Sequence, residues 1–350
     1  MNPDAREEAV TSAIEARREL VNDSFEEYLP IQDPERLYEA SRYLLDAGGK
    51  RLRPAILLLA AEGLTDVKPL SLDYQSFPSY RPDESPIDLM AAAVAVEIIQ
   101  SFTLIHDDIM DDDDVRRGVA AVHVAFDEET AILAGDTLYS KAFEILLQSG
   151  APAERTNEAI DRLASTCTRI CEGQSLDVSF EDRADVSREE YLAMVDRKTA
   201  VLFAAAASIP MIILGAEDEQ VEAMSEFGRS IGQAFQIQDD VLDLTVPSEK
   251  LGKQRGSDLV EGKRTLVTQH AREHGVDVDS LLTVDDPDAV TEADIEEAVS
   301  VLEEAGSIQF AKQEAERRVI DGKRRLEVFP DNEARKRLED VADYLIERRY

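Results

Sequence analysis

Tryptophan is absent from this chain of 350 residues, and aromatic residues make up only 6% of it. Hydrophobic residues still reach 43%, so a large core is expected, filled by Ala, Leu, Val and Ile. Lysine is scarce as well: ten of the 38 basic residues are Lys and 28 are Arg. Acidic residues number 74 and the formal net charge is −36. That balance excludes nucleic acid as a partner, because phosphate backbones need a basic surface. An anionic membrane surface is disfavoured for the same reason. The acidic excess runs along the whole chain rather than gathering in a tail, which argues against a disordered arm. Asp and Glu throughout with few Lys is the composition of a halophilic protein. At molar salt a Debye length of about 3 Å screens the self-repulsion.

Only two cysteines are present, Cys167 and Cys171, four apart in a helical pattern. With no His or further Cys beside them to complete a zinc site, they read as small core residues of a reducing cytoplasm. The N-terminus is charged from Asp4 onward, so no signal peptide is expected. Thr199 to Ala216 is eighteen residues without a charge. Its alanines and Pro210 predict two buried helical pieces rather than a transmembrane span.

Helical signals dominate and strand signals are nearly absent. Helices are expected from Asp4 to Tyr28, from an Asp33-Pro34-Glu35 N-cap to Ala47, and from Pro54 through Ala61. Thr65 to Pro86 carries four prolines and reads as an exposed loop insertion. Asp88 to about Asp114 reads as a long buried helix. Further helices fit Glu128 to Gln148, Glu154 to Val178, Arg188 to Ala207, Gln220 to Leu244 and Lys263 to Glu273. Val276 to Val290 is an acidic loop, and Thr291 to Asp294 has the form of a capping start. Two more helices, about 308–326 and 332–348, close the chain. The expected fold is all-α, a single domain of about a dozen helices, several hydrophobic all round and therefore central.

Two acidic runs stand out against the general acidity. Asp107-Asp108-Ile109-Met110-Asp111 follows an almost wholly apolar stretch and continues through Asp112, Asp113 and Asp114 into Arg116-Arg117. Asp107 and Asp111 are four apart, so on a helix they share a face and repel. The second run, Asp239-Asp240-Val241-Leu242-Asp243, repeats the spacing after another apolar approach. A single run could be a solvated face. Two at the same spacing point to hard divalent ions, which take carboxylate oxygens and substrate phosphates together. Cations recur beside them: Gly48-Gly49-Lys50-Arg51-Leu52-Arg53 at a helix start, Lys198-Thr199, Gly252-Lys253 and Gly262-Lys263-Arg264. Helix N-termini and such clusters suit phosphate.

The ordered set GGKRLRP, LIHDDIMDDDDVRRG, RKTA, GQAFQIQDDVLD and GK…SD…EGKRTL resembles the trans-isoprenyl diphosphate synthases, over about residues 35 to 270. With this composition the likeness is to archaeal geranylgeranyl diphosphate synthases. The resemblance implies the isoprenoid synthase fold, helices around a central cavity. It also implies a cytoplasmic homodimer and about three Mg²⁺ ions. Asp107 and Asp111 would ligate Mg²⁺ on the allylic diphosphate with Asp108 in support. Asp239 would hold a further ion, with Asp240 and Asp243 close by. Arg116, Lys198 and Lys263 would contact the allylic diphosphate, with Thr199, Gln236 and Lys253 completing that side. Lys50, Arg53 and Arg117 would hold isopentenyl diphosphate. Gln100 stands where many relatives carry His, and Gln174 and Asp177 match a polar pair near the reacting carbons. Arg348-Arg349 is a candidate for closing over the isopentenyl site. One departure is Val119-Ala120 where relatives often read Lys-Pro.

The implied reaction is ionisation of an allylic diphosphate, condensation with isopentenyl diphosphate and loss of a proton. No side-chain base is evident; His106 and His123 qualify by residue type alone and suit structural roles. Residues one turn below Asp107 lie about 5–6 Å deeper. Phe102, with small Thr103 beside it, is the expected floor for a twenty-carbon product, and Ile99 lies deeper. A terpene cyclase, a silent subunit of a heteromer and a helical scaffold are the competing readings. The paired runs and the GGKRLRP segment argue against each.

Overall fold

The computed structural model describes the backbone of residues 3–82, 84–181, 183, 185–247, 255–282 and 290–347. The all-α expectation holds. The helices are α1 (Pro3–Tyr28), α2 (Glu35–Asp46), α3 (Leu52–Thr65), α4 (Leu89–Met110), α5 (Val122–Ala125) and α6 (Glu128–Leu146). They continue with α7 (Ala153–Glu181), α8 (Arg188–Val195), α9 (Val201–Leu214) and α10 (Asp218–Thr245). The last are α11 (Ser257–Val260), α12 (Leu266–Glu273), α13 (Glu292–Glu304), α14 (Ser307–Arg325) and α15 (Glu333–Glu347). Two compact units form: Met1–Cys167 with Leu202–Gly228 and Arg325–Val341, and Thr168–Val201 with Arg229–Arg324 and Ala342–Tyr350.

In the first unit α4 is the central element. The Asp88 side chain caps it by accepting from the Ala91 amide at 2.9 Å. Every residue from Leu89 to Ile99 is buried, as an all-round apolar helix requires. α6 lies close beside it because Gly135 has no side chain: a Cβ there would come within 2.2 Å of the His106 ring. α4 stops at Met110, earlier than expected, for a local reason. Asp111 ends it, Asp112 adopts φ +56°, and the Asp113 amide donates to the Asp108 carbonyl at 2.9 Å. This is a left-handed C-terminal cap, and Asp tolerates that conformation better than most residues.

A tight hairpin follows, β1 (Val115–Arg116) against β2 (Val119–Ala120), antiparallel. Arg117 and Gly118 form its turn with φ of +53° and +78°, the positive values that two-residue hairpin turns require. The turn sends the adjacent arginines to different partners.

Most of the Thr65–Pro86 segment is exposed, as expected, but it is pinned down at a few points. Tyr74 and Phe77 are buried, and Phe77 bridges Ile87. Buried Glu62 accepts from the Tyr74 hydroxyl and the Leu70 amide, and pairs with buried Arg17. The Tyr80 amide donates to the Leu214 carbonyl at 3.1 Å. The proline-rich composition alone did not reveal these anchor points, because their partners are distant in sequence. The helix-start expectation at Asp33 is corrected: Pro34 occupies the cap position without a side-chain bond, and the Asp33–Pro34 peptide is cis.

In the second unit Ser187 and Glu190 form a reciprocal capping box on α8. Thr291 and Asp294 do the same on α13, as expected from sequence. Between α8 and α9, Asp196–Ala200 forms a π-helical turn. The interruption of this apolar stretch therefore falls at the π turn, whereas Pro210 lies inside α9. Burial rather than local propensity decides there. Among the described residues two helical stretches, Leu89–Met110 and Arg188–Leu214, are long and apolar enough to cross a membrane, but their apolar windows are 83% and 89% buried inside the protein. Cys167 is buried as expected, whereas Cys171 is exposed on α7. Lys263 precedes α12 instead of starting it; Thr265 is the cap.

Candidate active site

The sequence-predicted residues fall into two groups, one in each unit. The first gathers at the C-terminal end of α4 and the loop before α3. Asp107 is partly exposed, Asp111 is exposed, and Asp108 between them is fully buried. Asp108 Oδ1 accepts from Arg116 Nε at 2.6 Å, and Arg116 Nη2 lies 2.5 Å away. Burial pushes the Asp108 carboxyl up, while the Arg116 guanidinium pulls it back down. Its Oδ2 is buried with no hydrogen-bond partner among the described residues. Arg116 Nη2 also pairs with Asp113 at 2.7 Å. Arg116 is thus committed to carboxylates here, where the resemblance implies a diphosphate contact.

Arg117 donates to the Leu44 and Gly48 carbonyls at 2.9 and 2.6 Å and approaches Glu97 at 3.3 Å. Burial lowers its pKa, only partly opposed by Glu97. Lys50 is exposed, and the Arg53 guanidinium lies 4.2 Å over the Phe203 ring. Arg51, grouped in the sequence with the phosphate-binding cations, is buried instead, and Glu97 was missed although it is the lone charge between Leu89 and His106. Gln100 and Thr103 are partly exposed, and the Thr103 hydroxyl donates to the Gln100 carbonyl. Phe102 is buried, its ring edge-on to His106 at 5.2 Å and to Tyr139 at 5.4 Å.

The second group sits around the π turn and the end of α10. Lys198 Nζ donates to Asp177 Oδ2 at 2.5 Å. Gly173 makes this possible, since a Cβ there would come within 2.3 Å of the Lys198 amide nitrogen. Thr199 Oγ1 donates to Gln236 Oε1 at 2.9 Å, Gln236 Nε2 donates to Asp240 Oδ1 at 3.0 Å, and the Tyr191 hydroxyl donates to Asp240 Oδ2. Burial, then the Asp258 charge, hold the Asp240 carboxyl well above the usual carboxylate range. Asp243 is likewise buried, accepting from the Ser257 hydroxyl at 2.9 Å and the Asp258 amide at 3.2 Å. Both therefore anchor surrounding backbone and side chains, and Asp239 holds the more open position. Gln174 Oε1 is buried without a hydrogen-bond partner among the described residues. Lys263 pairs with Glu261 at 2.8 Å and lies 3.5 Å from Asp258. Lys253, Arg348 and Arg349 lie outside the described residues.

Among the described residues no three carboxylate, imidazole or thiol groups gather closely enough to enclose a metal ion unaided. Each acidic run by itself nonetheless offers oxygen donors of the kind a hard cation takes. In the first unit Asp107 and Asp111 stand at the C-terminal end of α4, and in the second Asp239 stands near that of α10; at each end the helix dipole adds to the negative charge.

Residues 34–302 match the polyprenyl synthetase family. The chain belongs to that family. Polyprenyl synthetases are prenyltransferases, and so is this chain. A geranylfarnesyl diphosphate synthase of Natronomonas pharaonis is 67% identical over 341 residues, covering 97% of this chain and 98% of the relative. The solved geranylgeranyl pyrophosphate synthetase of Geoglobus acetivorans is 43% identical with a TM-score of 0.83, covering 96% and 99%. A polyprenyl synthase from Caulobacter crescentus CB15, solved with calcium and isoprenyl diphosphate, is 30% identical with a TM-score of 0.81, covering 98% of each chain.

Proposed function

We propose that the chain is an Mg²⁺-dependent trans-prenyltransferase that condenses isopentenyl diphosphate with dimethylallyl, geranyl or farnesyl diphosphate. The proposed product is geranylgeranyl diphosphate, a precursor for isoprenoid membrane lipids and carotenoids. The observation that carries the reading is the placement of both acidic runs in the last turns of long helices. Within each run, carboxylates four apart share one helix face beside the negative dipole end, an arrangement that a bound cation relieves. The calcium in the Caulobacter relative supports the same view.

Asp107, Asp111 and Asp239 would hold the metal, whose charge would stabilise the departing diphosphate as a Lewis acid. Diphosphate and water would complete the coordination that the protein alone does not provide. Asp108 would position Arg116, and Asp240 and Asp243 would brace Asp239. Arg116, Lys198 and Lys263 would bind the allylic diphosphate, while Lys50, Arg53 and Arg117 would bind isopentenyl diphosphate. Phe102, backed by Tyr139, would close the apolar channel below Asp107.

The single-domain reading of residues 1–350 is part of this proposal, as are cytoplasmic location, a homodimer and function at high salt. Exposed Leu133 and Leu147 on one side of α6 and its end support a partner subunit there. A twenty-five-carbon product is the second reading, favoured by the Natronomonas relative. Incubation of the purified chain with isopentenyl diphosphate and each allylic primer, followed by chromatographic sizing, separates the two. A dominant C20 product supports the first, and continued extension to C25 supports the second.

A further inference from the structure

α4 carries one charged side chain between Leu89 and His106, and it is Glu97, only 3% exposed. A carboxylate in such surroundings is costly unless cations hold it. Here one oxygen serves two. Glu97 Oε1 accepts from Arg51 Nη1 at 2.6 Å and from Arg117 Nη2 at 3.3 Å. The Arg51 side chain is fully buried, with Nε donating to Asn22 Oδ1 at 2.9 Å and Nη2 to the Leu45 carbonyl. Arg117 is 19% exposed and lies along the Gly48–Gly49 backbone. Gly49 is required for that approach, because a Cβ would sit 2.9 Å from Arg117 Cζ.

Both arginines adopt left-handed backbone, φ +51° and +53°. That conformation costs roughly 1 kcal/mol or more at a non-glycine residue and persists where the surroundings fix it. Two guanidiniums on one carboxylate leave a net positive charge, and Arg117 is the member that reaches the surface. One arginine would have sufficed to neutralise Glu97. The second ties the hairpin to the Gly48–Arg53 loop.

We propose that Glu97 is a positioning residue for isopentenyl diphosphate. It fixes Arg51, and so the direction of neighbouring Lys50 and Arg53, while aiming Arg117 at the same diphosphate. This rests on the assignment of Lys50, Arg53 and Arg117 to isopentenyl diphosphate. Glu97 touches no substrate itself. Its effect therefore falls on one substrate's affinity more than on the other's.

The test is steady-state kinetics with each substrate varied in turn, on wild type, Glu97→Gln, Glu97→Asp and Asn22→Ala. Glu97→Gln keeps the shape and loses the charge that holds both guanidiniums. The KM for isopentenyl diphosphate is expected to rise about tenfold, with the allylic KM changing less than about twofold. Glu97→Asp restores the charge and is expected to recover part of the loss. Asn22→Ala removes only the Arg51 Nε partner; it carries the test if Glu97→Gln does not fold, with an expected rise of about threefold. A folded variant in which both KM values rise together, or neither does, overturns the inference. A wild-type enzyme that does not elongate overturns the assignment of activity beneath it.

Discussion

Fully buried near the C-terminal end of α4, Asp108 places one carboxylate oxygen within 2.6 Å of two nitrogens of Arg116. Removing the guanidinium by Arg116→Leu leaves that carboxylate without its counter-charge. Arg116 keeps 29% exposure, so solvent softens the penalty, and a loss of about 2 kcal/mol is expected. kcat/KM should fall by more than about tenfold. Arg116→Lys keeps the charge but not the two-nitrogen contact, and should recover only part of either loss. Urea unfolding and steady-state kinetics check both.

Gly173 lies against the π turn that presents Lys198. A Cβ would meet the Lys198 nitrogen at 2.3 Å and the Arg197 carbonyl carbon at 2.8 Å, both backbone atoms with little freedom to yield. Gly173→Ala should therefore displace the turn. The expected cost is about 2 kcal/mol of stability and a more than tenfold loss of kcat. Thermal melts alongside activity measurements check whether the activity loss persists well below the melting temperature, as a misplaced Lys198 requires.

Phe102 is held between His106 and Tyr139. Truncating it to Ala removes the ring proposed to close the space below Asp107. Products longer than those of wild type are expected from farnesyl diphosphate with excess isopentenyl diphosphate. Chromatographic sizing reads the outcome, and unchanged chain lengths would rule Phe102 out as the floor.

His270 supplies a pH dependence of its own. Its Nδ1 lies 3.0 Å from the Ser307 hydroxyl, and its ring stacks on Phe310 and His274. Burial lowers its pKa from 6.5, with His274 and Arg188 adding to the effect. The folded state therefore prefers neutral His270. The stability it contributes is complete above pH 6.5 and is lost as pH falls from there toward the depressed folded value. His270→Gln should flatten that acid-side loss relative to wild type in melts recorded from about pH 8 to pH 5.

Much of this was legible in the sequence because it depends on local chemistry. Thr291 and Asp294 cap α13 through bonds spanning three residues, and the apolar run before Asp107 has one structural solution. Tyr74 and Phe77 were illegible because their burial depends on Glu62 and Ile87. Asp112 read as surplus acid, yet it adopts the left-handed turn that ends α4. Glu97 was readable in principle as the lone charge in an apolar helix, but its meaning required knowing where Arg51 and Arg117 fold back. The π turn at Asp196–Ala200 has no composition of its own; Gly173, on another helix, accommodates it.

The most direct measurement is incorporation of labelled isopentenyl diphosphate onto farnesyl diphosphate by the purified chain at high salt, with and without Mg²⁺. The expected result is metal-dependent incorporation into a C20 product, one diphosphate released per unit added, and at least hundredfold losses (about 2.7 kcal/mol) in Asp107→Asn and Asp239→Asn. No incorporation by the folded protein with Mg²⁺, or incorporation that survives complete chelation, would contradict it.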